Sequence, residues 1–347
     1  MRRMRTAAMI LALAAALVSA APHAVLAEEI GPGIGLEERR AAQAAESSAQ
    51  TPESSAQAAK SGAQAAESGA QNTGNGSAQT AGDAAADVSK LTGGIHRKTP
   101  EELEAAVAAT PAGPATAEWG TFFLGNNLPP RNDVDEAVLR PLHAYAMVPT
   151  EEKVVYLTFD EGYENGFTPA ILDVLAKHNV KAAFFCTGSF VRDNPELVKR
   201  FADEGHIIGN HTLTHPDMMK VGTWDEFRRQ LFTVEERVQA ITGKEMPRYY
   251  RPPAGAFSDT QLRMAGALGY STIFWSVAYR DWDAKNQPTH ENAMKYLTSR
   301  IHPGAIILLH AVSRTNTEIL DRLLTTWKEM GYSFRTLDEL PVGLTFE

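Results

Sequence analysis

The sequence predicts an α/β fold, a distorted (β/α) barrel of about seven parallel strands, preceded by a disordered linker in a chain of 347 residues. Three observations carry that expectation. All aromatic residues (14 Phe, 5 Trp, 9 Tyr) lie at or after Trp119, and a segment without aromatics and with few β-branched residues has too little apolar surface for a core. From residue 153 onward, apolar runs of strand length alternate with stretches of helix length, the pattern of a parallel sheet covered on both faces. Acids, histidines and an arginine gather at the C-terminal ends of those runs, the rim where parallel barrels carry their reactive groups.

At the N-terminus, Met1–Arg5 is basic, Ala7–Ala21 is apolar apart from Ser19, and Val25-Leu26-Ala27 fits small-x-small cleavage before Glu28. These are the three parts of a secretory signal, predicted over 1–27. The apolar run is shorter than the roughly 20 residues that span a bilayer. Cleavage is therefore expected, with an uncleaved N-terminal anchor as the alternative, and either outcome places the remainder outside the cytoplasm. Residues 28–115 are dominated by Ala, Gln, Ser, Gly and Glu, with the near-repeats QAAESSAQ (43–50) and QAAESGAQ (64–71). Gly and Ser interrupt the alanines and no apolar stripe would dock a helix. A disordered tether is expected there, spanning roughly 50 Å as a flexible coil. The folded unit is then 116–347.

Net charge is −9, of which 1–27 carries +3, 28–115 carries −6 and 116–347 carries −6. With no basic segment beyond the signal, nucleic acid is not an expected partner. Neither is an anionic lipid surface, and no stable membrane insertion is expected after cleavage. The single cysteine, Cys186, excludes an intrachain disulfide and any CxxC zinc site. Within KAAFFCT it reads as a buried small hydrophobe.

The elements follow in order. KVVYLTF (153–159) is a buried-strand run. Thr168-Pro169 supplies an N-cap and a proline at the first helical position of TPAILDVLAKH. KAAFFCT (181–187) is the next strand, followed by the helix PELVKRFADEG and the strand HIIGN. A long helix is predicted from Thr223 to Ile241, closed by Gly243. RYYR (248–251), a helix over about 258–268, STIFWSV (271–277) and a helix over about 291–301 come next. GAIILLH (304–310), the helix TNTEILDRLLTTWKEMG and the strand YSFRTL (332–337) complete the series.

The first strand ends in Asp160-Glu161-Gly162, the third leads to His211 and His215, and the fourth ends in Arg251. The loop after the fifth carries Asp281-Trp282-Asp283, and the sixth ends in His310. His211 and His215, at i, i+4 spacing on a helical turn, can chelate a metal. A carboxylate from Glu161 or Asp160 would complete a three-ligand set with positions open for water and substrate. Adjacent acids on a strand normally face opposite ways. Gly162 is expected to let the chain turn so that both reach the site, one binding metal and the other taking a proton from water. His310, closing an apolar strand, needs a partner. A neighbouring Asp281 would favour its protonated form and make it a general acid. Arg251 is expected to hold Asp160 ionised through a bidentate pair.

Together these segments resemble the polysaccharide deacetylase family, the NodB-homology carbohydrate esterases. TFDEGYENG (158–166), HTLTHP (211–216), RPPAG (251–255), Asp281-Trp282 and LLHAVS (308–313) match its five motifs in order, over about 154–340. GYENGFTPAILDVLAKH, DEGHIIGNHT, FWSVAYRDWD and LLHAVSRTNTEILD, with WGTFFLGNNLPP ahead of them, resemble more narrowly the delta-lactam-biosynthetic de-N-acetylases of spore-forming bacteria. The resemblance implies removal of the N-acetyl group of N-acetylmuramic acid in peptidoglycan glycan strands, leading to muramic δ-lactam of the spore cortex. It implies a divalent metal, zinc being the expected one, held by His211, His215 and Glu161. Most of the family has Asp at the last position, so the ligand here is one methylene longer. Asp160 is then the base, oriented by Arg251, and His310 the acid, backed by Asp281. Tyr163 and Trp282 are candidate sugar-stacking walls, and Arg280 or Arg314 candidate partners of the muramic carboxylate. A monomer at the cell wall, secreted or N-terminally anchored and working in the forespore intermembrane space, is the expected setting. The alternatives are a deacetylase of N-acetylglucosamine or another N-acetylated polysaccharide, and a glycosidase using Asp160 and Asp283, which leaves the two histidines unexplained. A non-catalytic wall-binding module is the third, and the full set of reactive groups stands against it.

Overall fold

The computed structural model describes residues 99–109 and 116–340. The signal expected over 1–27 and the tether over 28–98 and 110–115 lie outside the described residues. The described residues open with α1 (Pro100–Ala109), β1 (Thr116–Glu118), β2 (Thr121–Phe122), β3 (Arg131–Asn132), α2 (Glu136–Leu139) and β4 (Ala144–Tyr145). The regular part follows as β5 (Val154–Glu161), α3 (Thr168–His178), β6 (Ala183–Cys186), α4 (Gly188–Asp193), α5 (Pro195–Asp203) and β7 (Ile207–Asn210). Then come α6 (Trp224–Thr242), β8 (Tyr249–Tyr250), β9 (Ala256–Ser258), α7 (Asp259–Ala267) and β10 (Ser271–Ile273). The described residues close with α8 (His290–Arg300), β11 (Ala305–His310), α9 (Arg314–Glu329) and β12 (Ser333–Arg335).

As the alternation predicts, the strands form a parallel sheet, in the order β11-β5-β6-β7-β8-β10-β4. β12 pairs with the first residues of β5, below the stretch that pairs with β6. Bridges from Met147 to Ala305 and from Val277 to Ile307 bring the two edges together, so the sheet curls into a distorted barrel. The run STIFWSV forms a strand only to Ile273. Beyond it, the Phe274 amide donates to Tyr145 O of the neighbouring β4 and the Ser276 amide to Ile306 O of β11, so only the latter bond crosses the seam.

Period-two alternation decides what each strand buries. Tyr156, Ala183, Phe185, Ile207, Tyr249, Ile273 and Ile306 pack together inside the barrel. Val155, Leu157, Phe159, Phe184, Ile208, Ile307 and Leu309 pack outward against the helices, for example Leu172 of α3 and Leu323 of α9. The ends of α6 follow the signals in the sequence, whereas α3 begins one residue early: Phe167 is its N-cap without a side-chain bond, Thr168 its first residue. Thr223 Oγ1 accepts from the Glu226 amide, and Gly243 ends α6 at φ +70°.

Two features depart from the sequence-based expectation. The tether was expected to reach 115, yet Pro100–Ala109 is helical, and its Leu103 is buried with Phe227, Met264 and Leu268. Its signal is Thr99-Pro100-Glu101-Glu102. The Thr99 amide donates to Glu102 Oε2, and the Glu102 amide donates back to Thr99 Oγ1, a capping box with proline at the first helical position. The second feature is the stretch ahead of β5, which forms a core of its own. Trp119, Phe123, Leu139 and Leu142 pack with Phe257, Phe274 and Trp275, and the Trp119 indole donates to Trp275 O. Among the described residues no helix is long and apolar enough to cross a membrane.

Two buried titratable groups near the seam make stability depend on pH in opposite senses. Glu136 Oε1 accepts from the Ala146 and Met147 amides. Burial pushes its carboxyl up to about 7, with the two amides opposing. His302 donates from Nδ1 to Pro303 O and accepts the Ser276 hydroxyl at Nε2; burial pushes it down to about 4. A raised carboxyl pKa contributes stability below the unfolded value that is lost as pH rises towards 7, and a depressed imidazole pKa contributes stability above 6.5 that is lost as pH falls towards 4. Glu136→Gln keeps a carbonyl acceptor for both amides and carries no charge. It is expected to stabilise the protein at pH 8 by on the order of 2 kcal/mol and to change little at pH 4.5. Denaturant melts at the two pH values check this; equal effects at both would refute it.

Candidate active site

The row of side chains facing into the barrel ends, at the C-terminal rim, in charged residues. On β5, Thr158 and Asp160 continue the row begun by Tyr156. His310 is the register partner of Asp160 across the β11–β5 pair, and Arg251 lies two residues beyond the inward Tyr249. The reactive groups of the first, fourth and sixth predicted strands therefore reach the same end of the barrel.

Arg251 is fully buried and uses its whole fork. Nη1 donates to Asp160 Oδ1 at 2.7 Å, Nη2 to Thr158 Oγ1 at 2.9 Å and to Phe274 O at 3.1 Å, and Nε to Ile273 O at 2.9 Å. Its guanidinium lies 4.1 Å over the Phe185 ring. Burial lowers its pKa while Asp160 holds it up. The expected bidentate pair is thus a single bond to Asp160, because the Thr158 hydroxyl takes the second arm while donating to Ile307 O. Gly209 makes room for this stack, since a Cβ there would stand 2.5 Å from the Phe185 ring.

His211 and His215 come together, with ring centroids 4.9 Å apart, but not on a helical turn. Thr212 and His215 have φ of +70° and +53°, and the residue before Pro216 is barred from the right-handed helical region. Side chains hold the loop instead. Asn210 Oδ1 accepts from the Thr212 amide, Thr212 Oγ1 from the His215 amide, and Gln230 Oε1 from the Leu213 and Thr214 amides. His211 Nδ1 donates to Arg251 O. That bond fixes the tautomer and leaves Nε2 as the basic nitrogen, 3.6 Å from Asp160 Oδ2.

Glu161 goes elsewhere. β5 stays extended through it, so its side chain takes the outward face, in the row of Phe159 and beside Cys186 of β6. Its carboxylate oxygens lie 3.4 and 3.5 Å from Thr168 Oγ1 at the start of α3. Burial, with Glu164 adding to it, pushes the carboxyl well above the usual range. The turn that Gly162 was expected to allow comes one residue too late. Among the described residues no three His, Cys, Asp or Glu side chains are grouped to hold a metal. The expected set of Glu161, His211 and His215 does not assemble; Asp160, the alternative third ligand, stands 3.6 Å from His211 Nε2 but is bonded to Arg251, and it does not complete a three-ligand group with the two histidines. Cys186 is a buried free thiol, as its apolar setting predicts.

On the other side of the rim, Asp281 accepts three hydrogen bonds. His310 Nδ1 donates to Oδ1 at 2.7 Å; the His310 amide and Asn316 Nδ2 donate to Oδ2 at 2.9 and 2.6 Å. With Nδ1 bonded to Asp281, Nε2 is the ring nitrogen on the side away from that carboxylate. Trp282 is buried with its ring edge-on to His310, centroids 6.1 Å apart. Tyr163 is partly exposed. Arg280 stands 3.8 Å from Asp283, and the Arg314 side chain, 70% exposed, lies over Phe167 and 4.0 Å from Glu318. Reading the sequence missed Thr158 and Asn316. Asn316 had a signal, a polar residue at helical spacing from the apolar Ile319, Leu320 and Leu323.

A family model described as polysaccharide deacetylase matches residues 147–273. The chain is 47% identical over 223 residues to the peptidoglycan-N-acetylmuramic acid deacetylase PdaA of Bacillus subtilis (strain 168), which covers 64% of this chain and 84% of that protein. It is 37% identical over 203 residues to a peptidoglycan-N-acetylglucosamine deacetylase of Bacillus cereus, with 57% and 72% covered. The solved structure of Bacillus subtilis PdaA, described as a family 4 carbohydrate esterase, matches at 46% identity with a TM-score of 0.62, covering 65% of this chain and 96% of that one.

Proposed function

Because this chain belongs to the polysaccharide deacetylase family, we propose that it hydrolyses the N-acetyl group of N-acetylmuramic acid in peptidoglycan glycan strands. The observation that carries the reading is the pairing in register of Asp160, tied to Arg251, with His310, tied to Asp281. One supplies a base and the other an acid on adjacent strands. Asp160 takes a proton from the water that attacks the acetyl carbonyl, and Arg251 orients the carboxylate through its 2.7 Å bond. His310 Nε2 gives a proton to the nitrogen as the C–N bond breaks, and Asp281 stabilises the imidazolium that carries it. Acetate and a free amine leave. Trp282 walls the acid side; Tyr163, Arg280 and Arg314 stand as candidate contacts for the sugar and its lactyl carboxylate. The greater likeness to a muramic than to a glucosamine deacetylase supports the choice of sugar. The same reading puts the enzyme outside the cytoplasm, exported by 1–27 and tethered at the cell wall, as a monomer that prepares muramic δ-lactam in the spore cortex.

Deacetylases of this family are generally metal-dependent, and zinc is the cation to test. Glu161 does not fit as its ligand, so no step here is routed through a metal. Glu161→Gln preserves the shape of the carboxyl group facing Thr168. It is expected to keep turnover within about tenfold, with zinc added or chelated, a range set by a side chain outside the reacting groups. A loss beyond a hundredfold that excess zinc restores would return Glu161 to a metal site.

The function is tested by mass spectrometry of peptide-free glycan strands incubated with the purified chain. Loss of acetyl from muramic acid, followed by loss of water on ring closure, supports the reading. Loss from glucosamine instead would establish the second reading, which the match to the Bacillus cereus enzyme favours. No loss from either sugar would overturn both.

A further inference from the structure

We propose that Asn316 is a positioning residue for the His310–Asp281 pair, held in its working orientation by the Tyr279 hydroxyl. The inference rests on the reading of His310 as the group that protonates the leaving amine. Asn316 is 1% exposed, in the first turn of α9. Its Nδ2 donates to Asp281 Oδ2 at 2.6 Å and to His310 O at 3.1 Å. The Tyr279 hydroxyl donates to its Oδ1. Turning the amide over would aim Oδ1 at a carboxylate and a carbonyl, two acceptors, so only one orientation satisfies the group.

That orientation settles what Asp281 does. Oδ2 is occupied by the His310 amide and by Asn316, which leaves Oδ1 in place for the His310 Nδ1–H. The protonated nitrogen of the neutral imidazole is thereby Nδ1, and Nε2 is the one that exchanges protons with substrate. The backbone is tied into the same arrangement. The Asn316 amide bonds to Ser313 Oγ, whose hydroxyl donates to Gln287 Oε1. Gln287 Nε2 donates to Asp281 O at 2.9 Å and Asp283 O at 2.7 Å. The first turn of α9 therefore holds both the carboxylate and the main chain of the loop that carries Asp281 and Trp282. Without Asn316 the carboxylate is free to turn, and the imidazole loses the bias between its tautomers.

The test uses the purified chain and three substitutions, Asn316→Leu, Asn316→Asp and Tyr279→Phe. It measures kcat and KM from acetate release, the melting temperature, and the ¹⁵N resonances of labelled His310. The expected result for the two Asn316 variants is a kcat lower by about 10- to 100-fold, the range for groups that orient a reacting residue, with KM within about twofold. Their His310 nitrogens should move from the Nδ1–H pattern towards a mixture of tautomers. Tyr279→Phe keeps the ring that fills the core and should show the same nitrogen shift in weaker form with kcat down severalfold, which preserves the test if an Asn316 variant fails to fold. Unchanged His310 nitrogens in folded protein would overturn the proposal, as would a kcat loss equal to the unfolded fraction. Shifted nitrogens with wild-type kcat would uphold the positioning and overturn the acid role of His310 instead.

Discussion

Asp160→Asn lowers kcat by about 10³-fold and leaves KM within a factor of about two, as expected for a group that acts on the proton of water only in the transition state. The substitution isolates chemistry from structure. Asparagine still offers an oxygen to Arg251 Nη1, the one bond that joins the pair. Arg251 keeps its bonds to Thr158, Ile273 O and Phe274 O, so the fold survives with a stability loss of about 1–3 kcal/mol. What disappears is the only feature asparagine lacks, a carboxylate able to take a proton. His310→Gln lowers turnover comparably, because the amine remains a poor leaving group without a proton. Steady-state acetate release across pH 5–9 checks both. Turnover within tenfold of wild type in either variant would remove that residue from the reaction.

The two carboxylates of Asp160-Glu161 show how much of the site was legible in the sequence and where legibility stopped. The barrel could be read because its cause is local. Strand-length apolar runs and helix-length runs with caps alternate in KVVYLTF, TPAILDVLAKH and KAAFFCT, and the structure has β5, α3 and β6 there. The reactive rim followed from the same periods, since a strand's last inward residue must lie at the barrel mouth. Glu161 was misplaced because its direction depends on where the strand stops bonding. β5 pairs through Glu161 itself, with Cys186 of β6 opposite, and one more extended residue is enough to reverse a side chain. His211 and His215 do meet, but through a loop shaped by Thr212 and Gln230, which no i, i+4 count contains. The stretch ahead of β5 reads as folded from its aromatics, but its partners are not legible, for a related reason. Trp119, Phe123 and Leu142 are partnered by Phe257 and Trp275 more than a hundred residues away, and no period in the local sequence records that.

Removing Arg251 has the largest expected effect on stability. Arg251→Met costs about 3–5 kcal/mol, the range for taking one partner from a buried ion pair. Methionine fills much of the space over the Phe185 ring, so the loss is electrostatic more than steric. Asp160 is left buried with its counter-charge gone, and Ile273 O and Phe274 O lose their donor. The carbonyl term and the charge term separate in a double-mutant cycle. Asp160→Asn made in the Arg251→Met background is expected to restore about 1–3 kcal/mol, because a neutral amide at position 160 no longer needs a cation. Arg251→Lys keeps the charge but not the fork, and it cannot bond Asp160, Thr158 and the two carbonyls at once. It should fold better than Arg251→Met and still turn over slowly. Urea melts of the three single variants and the double variant decide the matter. Additive losses for Asp160 and Arg251 would mean that the 2.7 Å contact contributes no coupling, and that Arg251 serves the seam of the barrel rather than the carboxylate it touches. A positive coupling together with slow Arg251→Lys would place both tasks, holding the seam and holding the base, on one guanidinium.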